Sequence, residues 1–237
     1  MRVMATTLLV LEDDEGIRSS LCLALEAEGY RTIPFGLAED ALAELPRLSV
    51  DLMLVDLMLG EMDGFSFVRE VRQRSDVPII VVSARADTHD IVAALESGAD
   101  DYVTKPFQVK EVSARLRALR RRPPAMTRSA ESESVVLDGT DGPLVLEWSA
   151  GIVRRGEEEI HLTTTEFRLL CELNQPSGRV LSRQVLLDRV WERDYFGDER
   201  IVDVHIRRLR TKIEREPGSP RLLVTVRGLG YRFDRRA

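Results

Sequence analysis

The chain has 237 residues, room for two domains at roughly 100–200 residues each. Its 43% apolar and 31% charged residues suit a globular protein, and the longest apolar run, Val77-Pro78-Ile79-Ile80-Val81-Val82, is far too short to span a bilayer. The net charge of −6 hides an asymmetry: residues 1–134 hold 16 Lys and Arg against 23 Asp and Glu, whereas residues 200–237 hold 11 against 4, so a polyanion is the expected partner of the tail.

Residues 7–11 read as a buried strand, followed by a helix over 15–28 with Ile17, Leu21 and Leu25 at helical spacing. The apolar run at Leu8 to Leu11 stops at Glu12-Asp13-Asp14, so no leader peptide is expected and the cytoplasm is the expected location. Strands follow at 30–34, 52–56, 77–83 and 102–104, alternating with helices at 38–45, 65–74, 90–97 and 109–121. Five such pairs imply a five-stranded parallel sheet covered on both faces, an α/β fold. Arg122-Pro123-Pro124 and the Ser- and Glu-containing stretch after it lack apolar periodicity. The expected domains are therefore 1–121 and 135–237, with a linker at 122–134.

The second half changes character, with short strands at 135–137, 144–147, 151–154 and 159–162. Thr163-Thr164-Thr165-Glu166 reads as a helix start leading into Phe167, Leu169, Leu170 and Leu173. Ser182 opens a second helix through Leu186, Leu187 and Trp191, and residues 200–215 form a third. Residues 223–227 and 231–233 read as a hairpin with Gly228-Leu229-Gly230 at its tip. Cys22 and Cys171 sit on apolar patterns without a Cys-x-x-Cys motif and are expected to be buried, neither metal ligands nor redox groups.

In an open parallel sheet, ligands gather beyond the carboxyl ends of the strands. Glu12-Asp13-Asp14 follows the first strand, Asp56 ends the third, Ser83 ends the fourth and Lys105-Pro106 follows the fifth. Clustered carboxylates call for a cation, and hard oxygen ligands suit Mg²⁺. Asp56 can then attack phosphorus to give an acyl phosphate, with Lys105 and the Ser83 hydroxyl receiving the phosphate oxygens. Taken singly, each acid could equally be a helix cap, and Lys105 a solvated loop residue.

The segments Leu9-Val10-Leu11-Glu12-Asp13-Asp14, Asp51 to Asp56, Val81-Val82-Ser83-Ala84 and Gly98 to Phe107 resemble the flavodoxin-like receiver domain of two-component response regulators. The resemblance implies that Asp56 accepts phosphate from a sensor histidine kinase, that Glu12, Asp13 and Asp56 hold Mg²⁺, that Lys105 contacts phosphate, and that Ser83 and Tyr102 form a switch pair. It also implies a homodimer face containing Asp101, Glu111 and Arg115. Two features depart from the pattern. Gly60 stands where proline is usual, and Ile91, Ser97 and Ala118 replace charged positions of the dimer face, which weakens it.

In the second half, the helix at 200–215 carries an apolar stripe of Ile201, Val204, Ile206, Leu209 and Ile213, leaving Arg200, Arg207, Arg208 and Lys212 able to face outward towards phosphates and base edges. Arg227 beside the glycine tip is placed to reach a minor groove. Leu162 to Leu170, Val190-Trp191, Arg200 to Arg210 and Thr225 to Phe233 are similar to the winged helix-turn-helix output domain of the OmpR/PhoB family. That similarity adds Trp191, His205 and Arg210 to the DNA surface, and implies a transcriptional regulator of tandem promoter half-sites working with RNA polymerase. Phe167, Tyr231 and Trp191 also have a core reading. Two rivals remain. One is a regulator that binds DNA without phosphorylation. The other is an aspartyl phosphatase, which would want an acid where Met58 stands.

Overall fold

A strand that is apolar on both faces is stable only with cover above and below it. In the computed structural model, which describes residues 5–120, 134–140, 142–175, 178–191 and 198–236, the first half has five parallel strands, of which the central ones meet that demand. They are β1 (Thr6–Leu11), β2 (Tyr30–Phe35), β3 (Leu52–Asp56), β4 (Ile79–Ser83) and β5 (Asp101–Thr104). Between and after them run α1 (Glu15–Ala27), α2 (Ala38–Glu44), α3 (Gly64–Arg72), α4 (Thr88–Ser97) and α5 (Val109–Arg120). All pairings are parallel, in the order β2-β1-β3-β4-β5. Every residue of β3 and β4 is buried, as a central strand requires. The strand order reverses between β1 and β3, which opens the crevice beyond Leu11 and Asp56.

The inward face of α1 is Leu21, Cys22 and Leu25, whereas Ile17, expected on that face, is 45% exposed. Three loop acids cap helices: Asp14 accepts from Ile17 N at 2.8 Å, Asp63 from Ser66 N at 2.9 Å and Asp87 from His89 N at 2.7 Å. Asp14 is thus a cap, which separates it from Glu12 and Asp13. Gly64 opens α3 directly against β3, where an added Cβ would lie 2.4 Å from the Asp56 carbonyl oxygen.

The chain divides after Arg120 into two units. Of the expected linker 122–134, only Ser134, the first residue of β6, falls among the described residues. The second unit begins with an antiparallel sheet of β6 (Ser134–Asp138), β7 (Leu144–Glu147), β8 (Ile152–Arg155) and β9 (Glu158–Ile160). Helices α6 (Thr164–Asn174), α7 (Arg183–Val190) and α8 (Arg200–Ile213) follow. The two-residue strand β10 (Val180–Leu181) pairs with β12 (Gly230–Phe233), which pairs with β11 (Leu223–Val226) to close the hairpin. β10 is too short to leave a periodic signature. The last helix stops at Ile213 rather than 215 because the chain turns extended at Glu214, whose carboxylate accepts from Arg221, Leu222 and Leu223 N at 2.8–3.0 Å. Cys22 and Cys171 are both buried, and burial pushes each thiol above its ordinary range.

The start of α6 is a capping box: Glu166 N donates to Thr163 Oγ1 and Thr163 N to Glu166 Oε2, at 3.3 and 2.9 Å. Glu166 is fully buried and meets two cations of α8, Lys212 Nζ at 2.6 Å and Arg208 Nη2 at 3.0 Å. Burial opposes its charge, but Arg208 and Lys212 prevail and hold the carboxyl below its ordinary range. A group depressed in the folded state stabilises fully above its unfolded value and loses that effect as pH falls through the folded one. Glu166→Ala is therefore expected to cost about 3–5 kcal/mol at neutral pH by urea denaturation. The deficit of Glu166→Gln should shrink as pH is lowered below about 4. A deficit independent of pH would exclude an ionised Glu166.

Candidate functional site

Four strand ends converge at the crevice. Lys105, just after β5, places Nζ 2.7 Å from Glu12 Oε2 and 2.7 Å from Asp56 Oδ2. Asp56 Oδ1 accepts from Met58 N at 2.9 Å. Glu12 and Asp56 are 4% and 5% exposed, while Asp13 stands in solvent. Burial pushes the Glu12 carboxyl above its usual range; Lys105 offsets part of this, and repulsion from Asp56 and Asp13 adds to it. Burial works against the Lys105 charge, yet the hydrogen bonds it donates to Asp56 and Glu12, with their negative charge, outweigh it and raise its pKa.

Glu12, Asp13 and Asp56 each offer an oxygen within 4.8 Å of the others. Three carboxylates against one ammonium leave negative charge that a hard divalent cation fits. Ser83 is fully buried, its Oγ accepting from Arg85 N at 3.3 Å. Tyr102 is turned inward, 6% exposed, and its hydroxyl donates to the Arg85 carbonyl at 2.5 Å. Burial raises the Tyr102 hydroxyl above its ordinary value, with the Ser83 hydroxyl opposing. Two arginines in this region carry no signal in the sequence pattern, since each reads as an ordinary surface cation. Arg85 reaches Met58 Sδ at 3.2 Å and Asp90 at 3.2 Å. Arg18 binds the backbone of the acidic loop, donating to the carbonyls of Glu12 and Asp13 at 2.7 and 3.0 Å.

Asp101, Glu111 and Arg115 do come together, but within one chain. Arg115 bonds Asp101 at 3.0 Å and Glu111 at 2.9 Å, and Asp101 is 1% exposed. The Asp101–Arg115 pair is thus made within one chain.

On the second unit, the apolar stripe of α8 is buried as expected, joined by Val202 and His205. The exposed positions are Arg200, Arg207 and Thr211, with Asp203 and Arg210 half-buried beside them. Five expected DNA residues make contacts within the fold. His205 is fully buried and packs against Trp191, itself 3% exposed, with ring centroids 5.2 Å apart. Arg208 and Lys212 turn away from the exposed face onto Glu166. Arg210 ties α8 to the hairpin, donating to the Leu223 carbonyl at 2.6 and 2.8 Å and to Thr225 Oγ1 at 2.8 Å. Arg227 and Leu229 stand exposed at the hairpin tip. A further cluster joins α7, α8 and β12: Asp203 pairs with Arg183 at 2.7 Å and accepts from the Tyr231 hydroxyl at 2.6 Å. Phe167 and Tyr231 are both buried, so their core reading prevails.

Residues 8–117 match the family model "Response regulator receiver domain", and residues 156–233 match "Transcriptional regulatory protein, C terminal". The transcriptional regulatory protein AfsQ1 of Streptomyces coelicolor is 46% identical, covering 96% of this chain and 98% of its own. The chain belongs to the OmpR/PhoB family of response regulators. The KDP operon transcriptional regulatory protein KdpE of Escherichia coli is 40% identical over 96% of this chain and 99% of its own. Among solved structures, a RitR mutant aligns with a TM-score of 0.76 at 28% identity, covering 98% of this chain and 100% of that one. The OmpR/PhoB homologue DrrB of Thermotoga maritima aligns at 0.51 and 29%, with the same coverage. This regulator is thus a two-component receiver joined to a DNA-binding domain rather than a dedicated enzyme. Among the described residues, no helix is long and apolar enough to cross a membrane.

If His205 is core rather than contact, His205→Ala should lower stability by about 2–4 kcal/mol, as truncation of a buried ring does. Arg227→Ala should change it by less than about 0.5 kcal/mol. Denaturant unfolding of both variants checks this, and a His205→Ala variant as stable as wild type would return the ring to the surface.

Proposed function

We propose that this regulator is switched by phosphorylation of Asp56, with DNA affinity as its output. The cluster of Glu12, Asp13, Asp56 and Lys105 carries the reading, because it pairs a nucleophilic carboxylate with the charges that phosphoryl transfer needs. An Asp56 carboxylate oxygen attacks the phosphorus of a phosphohistidine on a sensor histidine kinase. The new O–P bond forms as the N–P bond breaks, and the imidazole leaves with the electron pair. Glu12, Asp13 and Asp56 would hold Mg²⁺, which neutralises phosphate oxygens when bound. Lys105 meets the same oxygens, and the Ser83 hydroxyl donates to them.

Ser83 and Tyr102 are the switch pair, sharing contacts with the backbone of Arg85. Phosphate thereby shifts the receiver towards a form that dimerises and places two output domains on tandem half-sites about 10 bp apart. The dimer face contains Asp101, Glu111 and Arg115 and is weakened where Ile91, Ser97 and Ala118 replace charged positions, so promoter DNA completes the assembly. Arg200, Arg207 and Arg227 are the DNA contacts, in a cytoplasmic transcription factor working with RNA polymerase.

Acetyl phosphate or beryllofluoride with Mg²⁺ is expected to tighten binding to a tandem-site duplex and to raise the mass seen by light scattering on that duplex. Asp56→Asn should show neither change. Equal affinity with and without phosphate would leave a phosphorylation-independent regulator. Arg207→Ala and Arg227→Ala should each reduce the slope of log affinity against log salt by about 1. An unchanged slope would remove that residue from the DNA contacts.

A further inference from the structure

Glu12 and Asp13 are adjacent, and in an extended chain adjacent side chains point to opposite faces and adjacent carbonyls point apart. Here both carboxylates reach one centre, with oxygens within 4.8 Å of each other and of Asp56. The chain must therefore bend at Asp13, directly after β1, and something must hold the bend against the repulsion of the acids it collects. The holder is visible in the backbone contacts. Arg18 Nη1 donates to the carbonyls of both Glu12 and Asp13, at 2.7 and 3.0 Å. Two successive carbonyls converging on one nitrogen cannot occur in a straight strand. The other side of Glu12 is pinned by its N–H, which donates to the Phe35 carbonyl at 3.1 Å.

The guanidinium itself has a seat. It lies over Gly36, where an added Cβ would stand 3.0 Å from Nη1 and 3.4 Å from Cζ of Arg18. No positive φ demands glycine at that position, so the absent methyl makes room for Arg18 rather than for a turn. From these contacts we propose that Arg18 is a positioning residue for the divalent-cation site. Seated on Gly36, it holds the bend that presents Glu12 and Asp13 together, and its charge offsets their repulsion from behind. This rests on the acidic cluster being a cation site, and touches neither the phosphate nor the metal directly. Partners that orient ligands behind a metal typically contribute 10–100-fold in affinity.

The test is calorimetric titration of the full chain with MgCl₂, without phosphoryl donor, alongside thermal unfolding in chelator. Arg18→Ala is expected to weaken Mg²⁺ binding about 10-fold, and Arg18→Lys to recover part of the loss by keeping the charge. Gly36→Ala, whose methyl would press on the Arg18 guanidinium, should weaken binding when Arg18 is present and have no effect on top of Arg18→Ala. That non-additivity would not arise from general loosening of the fold. Arg18→Ala binding Mg²⁺ within twofold of wild type would overturn the proposal. So would a Gly36→Ala loss of equal size in both backgrounds, which is readable through Arg18→Lys should the alanine variant fail to fold. Wild-type protein that takes up no Mg²⁺ would instead defeat the phosphoacceptor reading beneath it.

Discussion

Three carboxylates brought to one rim of a sheet repel one another, and the receiver unit is organised around making that arrangement tolerable. Lys105 spans Glu12 and Asp56 at 2.7 Å to each, and the hydrogen bonds that raise its pKa are the same ones that keep two largely buried acids in place. The compensation is incomplete. Glu12 remains above its ordinary range because burial costs its charge more than one ammonium returns. That residual deficit of positive charge is one that a divalent ion would fit. The site combines a buried carboxylate, a fixed cation and an unmet demand for positive charge.

The sheet topology makes the gathering possible. The strand order reverses between β1 and β3, so neighbouring helices diverge and leave the crevice uncovered where Glu12 and Asp56 emerge. Gly64 lets α3 begin against the Asp56 carbonyl, which sets the floor of the crevice close to β3. Ser83 and Tyr102 then link the site to the next two strand ends through the backbone of Arg85. A change at Asp56 thereby has a short physical route to β5 and its surroundings.

The DNA-binding unit uses the same principle for another purpose. Glu166 is fully buried at the start of α6, and the two cations that satisfy it come from α8. Their commitment fixes the rotation of α8 about its axis, because Arg208 and Lys212 lie on one flank and must face α6. Arg200 and Arg207 are left on the open side. Arg210, bonded to Leu223 and Thr225, fixes α8 against the hairpin that carries Arg227. An ionic clasp thus decides which arginines of α8 stand exposed.

Much of this was readable from residue order alone. Strand and helix periodicity placed the elements to within a few residues, and the acids, Ser83 and Lys105 fall at strand ends by residue order alone, because side-chain period and turn chemistry are local properties. What residue order could not reveal was pairing at long range. The inward turn of Arg208 and Lys212, the burial of His205, and the internal Asp101–Arg115 pair all depend on which segments pack together. A lysine in a helix reads the same whether it faces water or a buried carboxylate 46 residues away. Sequence determined the elements and the chemistry available at their ends. Only the tertiary structure decided which charges are spent holding the fold and which remain for a ligand, since desolvation and ion pairing are set by neighbours in space rather than along the chain.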